Sequence, residues 1–390
     1  MHAHHPRLAV GGRIRLGDLA DGRGHPVEWF QGQRGRLDPG AGADQGHREV
    51  AAQAGHRRVG EVGAHLGQRL GHVGDDPGTV RADDGDGKLV HPPTVCPAMT
   101  FADDAIAWFD QNARDLPWRQ PTTSPWGVLV SEVMLQQTPV VRVEPAWRSW
   151  MTRWPTPADL AADPPSEAIR MWGRLGYPRR AMRLHACAVA IVERHGGVVP
   201  ADLVQLLALP GVGTYTGRAV ATFAYGQRHP VVDTNVRRVV ARAVEGKPDA
   251  GPTTTAADLV AVAELLPDPP SRAARASIAF MELGAIVCTA RAPRCPQCPF
   301  EASCAWRATG EKLPQGPSRK PQRYAGTDRQ VRGLLLEVLR HATGPVPRQR
   351  LDLVWQDETQ RVRALAGLVE DGLVEPFSSD SFVLAGDRPY

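Results

Sequence analysis

Four closely spaced cysteines lie near residue 300. They form the pattern Cys288-x6-Cys295-x2-Cys298-x5-Cys304, which places four thiols within 17 residues. In an intracellular chain, such a group is typical of ligands for a metal ion or an iron–sulfur cluster rather than of disulfides. A tetrahedral zinc site and a [4Fe–4S] cluster both fit this spacing. The residues alone therefore predict a metal centre and leave the metal open.

Two carboxylates stand out because of their apolar surroundings. Glu132 interrupts the run VLVSEVML, and burial of such a side chain raises its pKa toward the range of a general acid. A carboxylate on the solvent face of the helix fits the same run. Asp233 follows PVV and precedes VRRVVAR, which favours a helix N-cap. A capping carboxylate can also be held at the mouth of a pocket, so the two roles are compatible.

The segment LPGVG, residues 209–213, lies between two predicted helices. Gly211 and Gly213 allow tight backbone conformations, which leave amide groups pointing at an anion together with the next helix N-terminus. A DNA phosphate suits such a site and carries no base information. A plain tight turn would use glycine too, so the hairpin by itself is a moderate indication of DNA binding.

Helical periodicity dominates the sequence from Met99 on, and Pro and Gly motifs such as WPTP, LGYP and HGGVVP separate the segments. Alternating strand patterns are almost absent before residue 370, so we expect an all-α protein with short connections. The pattern predicts helices at about 101–114, 127–137, 140–153, 166–174, 178–195, 202–207, 214–225, 234–244, 256–265 and 271–287.

Residues 1–98 differ sharply from the rest of the chain. They hold 19 of the 39 glycines and 9 of the 13 histidines, but only Trp29 and Phe30 among the aromatic residues. A segment so poor in large apolar groups cannot offset its ordering entropy. We expect it to be a disordered tail or an upstream reading-frame extension, with the native protein starting at Met99. N-terminal mass spectrometry of the protein from its own organism would decide between the two.

The bulk composition is mildly basic, with a net charge of +4 and a pI near 8.8 over 390 residues. This permits a nucleic-acid partner without requiring one. We find no apolar run of the ~18–20 residues needed to span a membrane and no signal-peptide pattern. We therefore expect a cytoplasmic protein.

The order of hairpin, aspartate and four cysteines resembles the helix-hairpin-helix DNA glycosylases of the endonuclease III superfamily, whose cysteine loop holds a [4Fe–4S] cluster. Within that superfamily, four motifs resemble the MutY family of adenine DNA glycosylases, which act on adenine paired with 8-oxoguanine or guanine. They are SEVMLQQT at 131–138, WGRLGY at 172–177, VDTNVRRV at 232–239 and MELGAIVCT at 281–289.

The resemblance implies catalytic roles for residues at matching positions. Glu132 would be the general acid that protonates adenine, and Asp233 would stabilise the oxocarbenium character of the sugar, with Asn235 ordering the site. Tyr215 stands where the bifunctional relatives have a lysine that forms a Schiff base. The target adenine would be flipped out of the duplex before hydrolysis.

The resemblance also implies the DNA contacts and the cofactor. Gln137 and Tyr177 would wedge into the duplex around the mispair, and the four cysteines would hold a [4Fe–4S] cluster. The remaining DNA contacts would come from the SEVMLQQT end, the hairpin and the cysteine loop, at Gln136, Thr138, Leu209, Pro210, Gly211, Val212, Gly213, Arg291 and Arg294. A monomer is the expected default, bound near the nucleoid.

The implied architecture is all-α and two-lobed, with a small C-terminal winged-helix-like domain. We expect an N-terminal extension, a first helix packed on the cluster lobe, a six-helix barrel lobe containing the helix-hairpin-helix at 202–225, a cluster lobe, a linker and the small domain. Their predicted boundaries are 1–98, 99–118, 119–230, 231–306, 307–326 and 327–390.

The sequence departs from the family pattern in two places. Pro178 replaces the second tyrosine of the usual LGYY, and only about 70 residues follow Lys320, where many members carry a longer Nudix-like domain. The tail patterns predict three helices and a β-hairpin, a winged-helix outline. Its arginines at 348, 350, 361 and 363 could contact DNA, and a protein-docking role is equally compatible.

Two rival functions follow from the same motifs. A bifunctional endonuclease III-like lyase needs an active-site amine, yet the only lysine between residues 99 and 311 is Lys247, in a Pro- and Gly-rich loop. A non-enzymatic DNA-binding protein with a structural metal would make no use of Glu132 together with Asp233. The sequence therefore favours a monofunctional glycosylase.

Overall fold

The computed structural model describes residues 97–310, 312–313 and 323–387, with side chains from residue 101 on. The predicted N-terminal extension, apart from its last two residues, and half of the predicted linker lie outside these ranges. None of the helices in the described ranges is long and apolar enough to cross a membrane.

The first lobe is a helical bundle around a tryptophan-rich core. Trp150, Trp154 and Trp172 are fully buried, and Trp150 packs edge to face against the other two at ring centroid distances of 4.6 and 5.7 Å. Seven helices surround this core: α2 Pro125–Leu135, α3 Val140–Arg153, α4 Pro157–Ala162, α5 Pro165–Trp172, α6 Arg179–His195, α7 Leu203–Leu207 and α8 Thr214–Phe223. A 3₁₀ turn at Pro117–Arg119 leads into α2.

The second lobe joins the start of the described chain to its later helices. Phe101 of the first helix stacks on Phe300 at 3.9 Å and lies 5.3 Å from Phe280, so this helix packs against the segment that carries the cysteines. The lobe consists of α1 Pro97–Asn112, α9 Thr234–Ala243, α10 Ala256–Leu265, α11 Pro270–Ile286 and the short α12 Ala305–Ala308.

The small domain covers residues 328–387 and has its own core. Its helices are α13 Asp328–Arg340, α14 Arg348–Asp352 and α15 Glu358–Glu370. An antiparallel sheet of order β1-β3-β2 completes it, formed by Val346–Pro347, Ser381–Leu384 and Val374–Ser378. The register pairs Val374 with Leu384 and Val346 with Phe382. The core of this domain also contains Ile169, which belongs to α5 of the first lobe.

The mostly helical fold class is confirmed. All ten predicted helices are present, with ends that differ by at most four residues, and the tail contains the predicted three helices and hairpin. Two helices were not predicted: the four-residue α12, and α4, whose start, WPTP, resembles a loop. Thr156 caps that helix through a capping box and Pro157 is its first residue, so the same letters are a helix start signal.

Candidate active site and cysteine loop

A cavity of about 860 Å³ lies between the first and second lobes. Its size falls within the range of ~300–1,000 Å³ that is usual for small-molecule sites. Polar side chains from four different helices line it, namely Glu132 and Gln136 at α2, Tyr215 on α8, Asp233 and Asn235 at α9, and Glu282 on α11. The structure thus brings the predicted catalytic residues together, although 101 residues of sequence separate Glu132 from Asp233.

Glu132 is buried because α2 has apolar residues almost all round. The helix starts where the Ser124 hydroxyl accepts a hydrogen bond from the Gly127 N–H at 3.2 Å, and Pro125 is its first residue. Only 7% of Glu132 is exposed. Burial and the nearby Asp233 raise its pKa from 4.5 to about 7, while Tyr215 and Arg119 lower it in part. Glu132 can therefore hold a proton near neutral pH and donate it, as a general acid must.

Asp233 is the N-cap of α9 and is fully buried. Its Oδ1 accepts from the Val236 N–H at 2.7 Å, and its Oδ2 accepts from Nδ2 of Asn235 at 2.7 Å. Burial raises the pKa of Asp233, but these donors and the charge of Arg238 oppose that rise. Asp233 is thus both a helix cap and a cavity carboxylate, because its acceptor oxygens remain beside the cavity.

Asn235 is held by a chain of hydrogen bonds that runs to the cysteine loop. Its Oδ1 accepts from Nη2 of Arg238 at 2.8 Å. Arg238 also donates to the carbonyl oxygens of Gly284 at 2.7 Å and Cys288 at 2.6 Å. The orientation of the Asn235 amide, and through it of Asp233, therefore depends on the end of α11 and the first cysteine.

Tyr215 lies in the first turn of α8 and faces both carboxylates. Its hydroxyl donates a hydrogen bond to Glu132. Burial, and then the two carboxylates, raise the pKa of Tyr215 well above its usual value, so the phenol stays protonated. It is a neutral hydrogen-bond donor and offers no amine for a Schiff base.

The hairpin combines buried anchors with exposed glycines. Leu209 and Val212 are buried in the first core, whereas Gly211 and Gly213 are exposed. Gly211 has φ +78°, and a Cβ there would lie 2.8 Å from the Cβ of Arg183, so the turn requires glycine. Gly213 is the N-cap of α8 and has no side chain that could accept a hydrogen bond from the first-turn N–H groups. The backbone amides at this helix start are the part of the hairpin that could bind a phosphate.

The predicted wedge residues have unusual backbones. Gln137 has φ +56° and Tyr177 has φ +48°, and they are the two non-glycine residues with positive φ in the described ranges. Both are exposed. Between them lies the buried Arg180, which donates to the carbonyl oxygen of Gly176 at 3.1 Å and to the hydroxyl of Thr138 at 2.9 Å. Thr138 is thus a buried partner of Arg180, and its predicted DNA contact remains a prediction.

Sequence reasoning missed a charged group in the wall of the cavity. Glu282 is fully buried and accepts from Arg114 Nε and Nη2, both at 2.7 Å, and from Arg119 Nη2 at 2.8 Å. Nη1 of Arg119 is buried and has no partner among the described residues. The missed signal was the run IAFMELGAIV, in which Glu282 interrupts an apolar helix as Glu132 does.

The four cysteines line one small pocket together with Phe300 and Trp306. In the described ranges no group of three or more Cys, His, Asp or Glu side chains has the arrangement of a metal site. The donor set nevertheless fits a thiolate-bound metal or cluster, since all four cysteines line this pocket and Arg242 Nη1 donates to the Cys288 sulfur at 3.5 Å. Burial raises the pKa of Cys298 to about 12, so a metal that binds this sulfur would have to displace its proton.

Comparison with known proteins gives the class. Residues 130–264 match the HhH-GPD superfamily of base excision DNA repair proteins. This range contains Glu132, the hairpin, Tyr215 and Asp233. The chain is accordingly a helix-hairpin-helix DNA glycosylase of base excision repair.

The curated relatives narrow the class. The adenine DNA glycosylase of Mycolicibacterium smegmatis is 57% identical over 286 residues, which cover 73% of this chain and 96% of that protein. The adenine DNA glycosylase of Mycobacterium tuberculosis is 53% identical over 300 residues, 77% of this chain and 98% of that protein. The human one is 41% identical over 56% of this chain and 41% of its own length. The chain belongs to the adenine DNA glycosylase family.

Solved structures of related folds were also found. A thermostable thymine-DNA glycosylase is 27% identical with a TM-score of 0.49, and the match covers 54% of this chain and 97% of that chain. A trapped endonuclease III–DNA covalent intermediate is 23% identical with a TM-score of 0.47, and the match covers 54% of this chain and 96% of that chain.

Proposed function

We propose that the protein hydrolyses the N-glycosidic bond of adenine paired with 8-oxoguanine or guanine, without cutting the DNA strand. The observation that carries the proposal is the cavity in which three side chains meet: a protonatable Glu132, an Asp233 that accepts two hydrogen bonds, and a neutral Tyr215. Paired carboxylates with different proton affinities are the arrangement that glycoside hydrolysis requires.

The proposed reaction follows from the different surroundings of Glu132 and Asp233. Glu132 donates its proton to a ring nitrogen of the flipped adenine, so that the base leaves as a neutral molecule when the bond to C1′ breaks. Asp233 stabilises the positive charge that develops on the sugar. Water then adds to C1′ and loses a proton, which yields an abasic site.

We assign DNA binding to exposed residues of the hairpin and the cysteine loop. The amides around Gly211 and Gly213, together with Arg291 and Arg294, would bind phosphates, since all four residues are exposed. Gln137 and Tyr177 would enter the duplex next to the mispair, and Gln136 and Pro210 line a small pocket together with Gly211 of the hairpin. We expect a monomer to perform all of these steps.

The cysteine loop would hold a [4Fe–4S] cluster through Cys288, Cys295, Cys298 and Cys304. When bound, the cluster would supply a cross-link that orders the loop carrying Arg291 and Arg294. Purified protein should be yellow-brown and absorb near ~400 nm with four irons per chain. A colourless protein that contains one zinc would contradict this assignment and leave the glycosylase proposal untouched.

The function is tested with three duplexes containing adenine opposite 8-oxoguanine, adenine opposite guanine, and thymine glycol. We expect base release from the first two and none from the third, with strand breaks only after alkali or heat. Glu132→Gln should abolish release while leaving binding of the mispaired duplex within about threefold, since the amide keeps the shape and loses the proton.

The lyase alternative makes the opposite prediction. A lyase would nick the strand spontaneously and would form a covalent adduct that borohydride traps. No lysine lines the cavity in the described ranges, and Lys247 pairs with Glu245 at 2.9 Å. Trapping of an adduct would therefore overturn the monofunctional assignment.

A further inference from the structure

The loop that carries Tyr177 has a backbone that its own sequence does not stabilise. Gly173, Gly176 and Tyr177 have φ values of +51°, +87° and +48°, which puts three left-handed residues within five positions. For a tyrosine this conformation costs free energy and persists only where the surroundings enforce it. Tyr177 is 52% exposed, so its own side chain does little to fix it.

The inner side of the loop is held by Arg180. This buried guanidinium donates to the carbonyl oxygens of Val133 at 2.9 Å and Met134 at 3.0 Å, at the end of α2, and also to Gly176 at 3.1 Å. The guanidinium carbon lies 5.5 Å from the centroid of the Tyr177 ring. One arginine therefore ties the loop to the helix that carries Glu132.

The outer side of the loop is held by the small domain. Ile169, on α5 just before the loop, is fully buried in the core of that domain. Two arginines, one on each side, also form hydrogen bonds across the boundary between α5 and the small domain. Arg340 Nε donates to the Ile169 carbonyl oxygen at 3.1 Å, and Arg170 donates to the carbonyl oxygens of Arg340 at 3.3 Å and Ala342 at 3.2 Å.

Further contacts lie on both sides of Tyr177. Arg170 forms an ion pair with Asp387, Arg174 pairs with Glu337 at 3.2 Å, and Arg179 pairs with Asp371 at 3.2 Å. After the loop, Met182 of α6 packs on the small-domain core. An exposed ion pair such as that of Arg174 contributes little to stability by itself. Here the ion pairs act together with an apolar contact and with arginine–carbonyl hydrogen bonds in the same short segment.

We propose that the small C-terminal domain is a positioning element for Tyr177, holding the 173–178 loop from outside while Arg180 holds it from inside. Two of the tail arginines that could contact DNA are already engaged within the domain, Arg361 with Asp352 and Arg363 with Asp328, both at 2.7 Å. The consequence for mispair recognition rests on the proposed function, whereas the placement of Tyr177 does not.

The test observes Tyr177 directly in the full chain. The protein has five tyrosines, so 3-fluorotyrosine labelling gives five ¹⁹F signals, of which Tyr177→Phe identifies one. The interface variant is Glu337→Gln/Asp387→Asn. Its matched control, Asp328→Asn/Asp352→Asn, makes the same carboxylate-to-amide change at ion pairs inside the small domain. A stronger second variant, Ile169→Asp, puts a charge into the small-domain core at the boundary.

We expect the Tyr177 signal to shift or to be lost by broadening in the interface variants and to keep its wild-type position in the control. Excision of adenine by the interface variants should fall at least tenfold opposite guanine, with circular dichroism unchanged. An unchanged Tyr177 signal in Ile169→Asp, with small-angle scattering showing that the small domain has moved away, would overturn the inference. Since the NMR measurement needs no DNA, a wild-type protein that fails to release adenine would refute only the proposed function.

Discussion

The two carboxylates in the cavity have different hydrogen-bond donors, although burial raises the pKa of both. Asp233 accepts from a backbone N–H and an amide side chain, with Arg238 nearby. Glu132 has the phenol of Tyr215 as its donor and a like charge in Asp233. The donor-rich carboxylate is suited to remain ionised while the other keeps its proton.

Tyr215→Phe should move the pH dependence of catalysis upward. The single-turnover rate of adenine release should fall as the pH rises through about 7, where Glu132 loses its proton. The Tyr215 hydrogen bond stabilises the charged form of Glu132, so its removal raises that pKa and shifts the falling limb to higher pH. Tyr225→Phe is the control, because the Tyr225 hydroxyl donates to the Val199 carbonyl oxygen away from the carboxylates. If the falling limb of the pH–rate profile stays at the wild-type pH in Tyr215→Phe, the proposed effect of Tyr215 on the pKa of Glu132 is wrong.

Glu132→Gln should stabilise the protein at alkaline pH. The folded-state pKa of about 7 exceeds the usual 4.5, so the native state takes up a proton between these values and loses stability as the pH rises through that window. An amide avoids this loss, so we expect the free energy of unfolding to increase by roughly 1–3 kcal/mol at pH 8 and to be nearly unchanged at pH 4.5. Denaturant unfolding at both pH values measures it, and an equal change at both would refute the linkage.

At the scale of helices, the site depends on how closely α11 approaches α9. A Cβ at Gly284 would lie 2.5 Å from the Asn235 carbonyl oxygen and 2.7 Å from its Cβ. Arg238 also donates to the Gly284 carbonyl oxygen, so the two helices meet directly under the residue that orients Asp233. Glycine is therefore needed at this position because the two helices are so close, and not because the backbone turns there.

Gly284→Ala should therefore impair both stability and activity. The methyl group forces the helices apart, which we expect to cost roughly 1–3 kcal/mol of unfolding free energy. The displacement of Asn235 should lower the excision rate more than it weakens DNA binding. Gly344→Ala is the control, since a Cβ at that position meets nothing within 4 Å. Equal effects of the two substitutions would show that helix separation is not the cause.

Local pattern predicted most of the elements but not the groups that hold the site together. Apolar periodicity and Pro/Gly punctuation placed ten helices, and the apolar surroundings singled out Glu132. Arg180 carried no signal because most of its partners are backbone carbonyl oxygens, which every sequence has. The Glu282 partners Arg114 and Arg119 are 168 and 163 residues away, so only the folded chain reveals them.

For the molecule as a whole, Glu282 is a charged bridge between the lobes. It lies on α11 of the second lobe and binds Arg119, which follows Trp118 of the first core. Burial alone would raise its pKa, but the hydrogen bonds from Arg114 and Arg119 lower it to about 2. The cavity between the lobes therefore has one wall fixed by a buried ion cluster.

This bridge predicts acid-sensitive stability. Because the folded-state pKa of Glu282 is below the usual 4.5, its contribution is complete above pH 4.5 and is lost as the pH falls toward 2. Glu282→Gln should reduce the free energy of unfolding by about 2–3 kcal/mol at pH 7, and the difference from wild type should shrink below pH 4.5. Glu144→Gln, at the exposed pair with Arg148, should change it by less than about 1 kcal/mol. A pH-independent loss in Glu282→Gln would mean that packing, and not charge, joins the two lobes at the cavity.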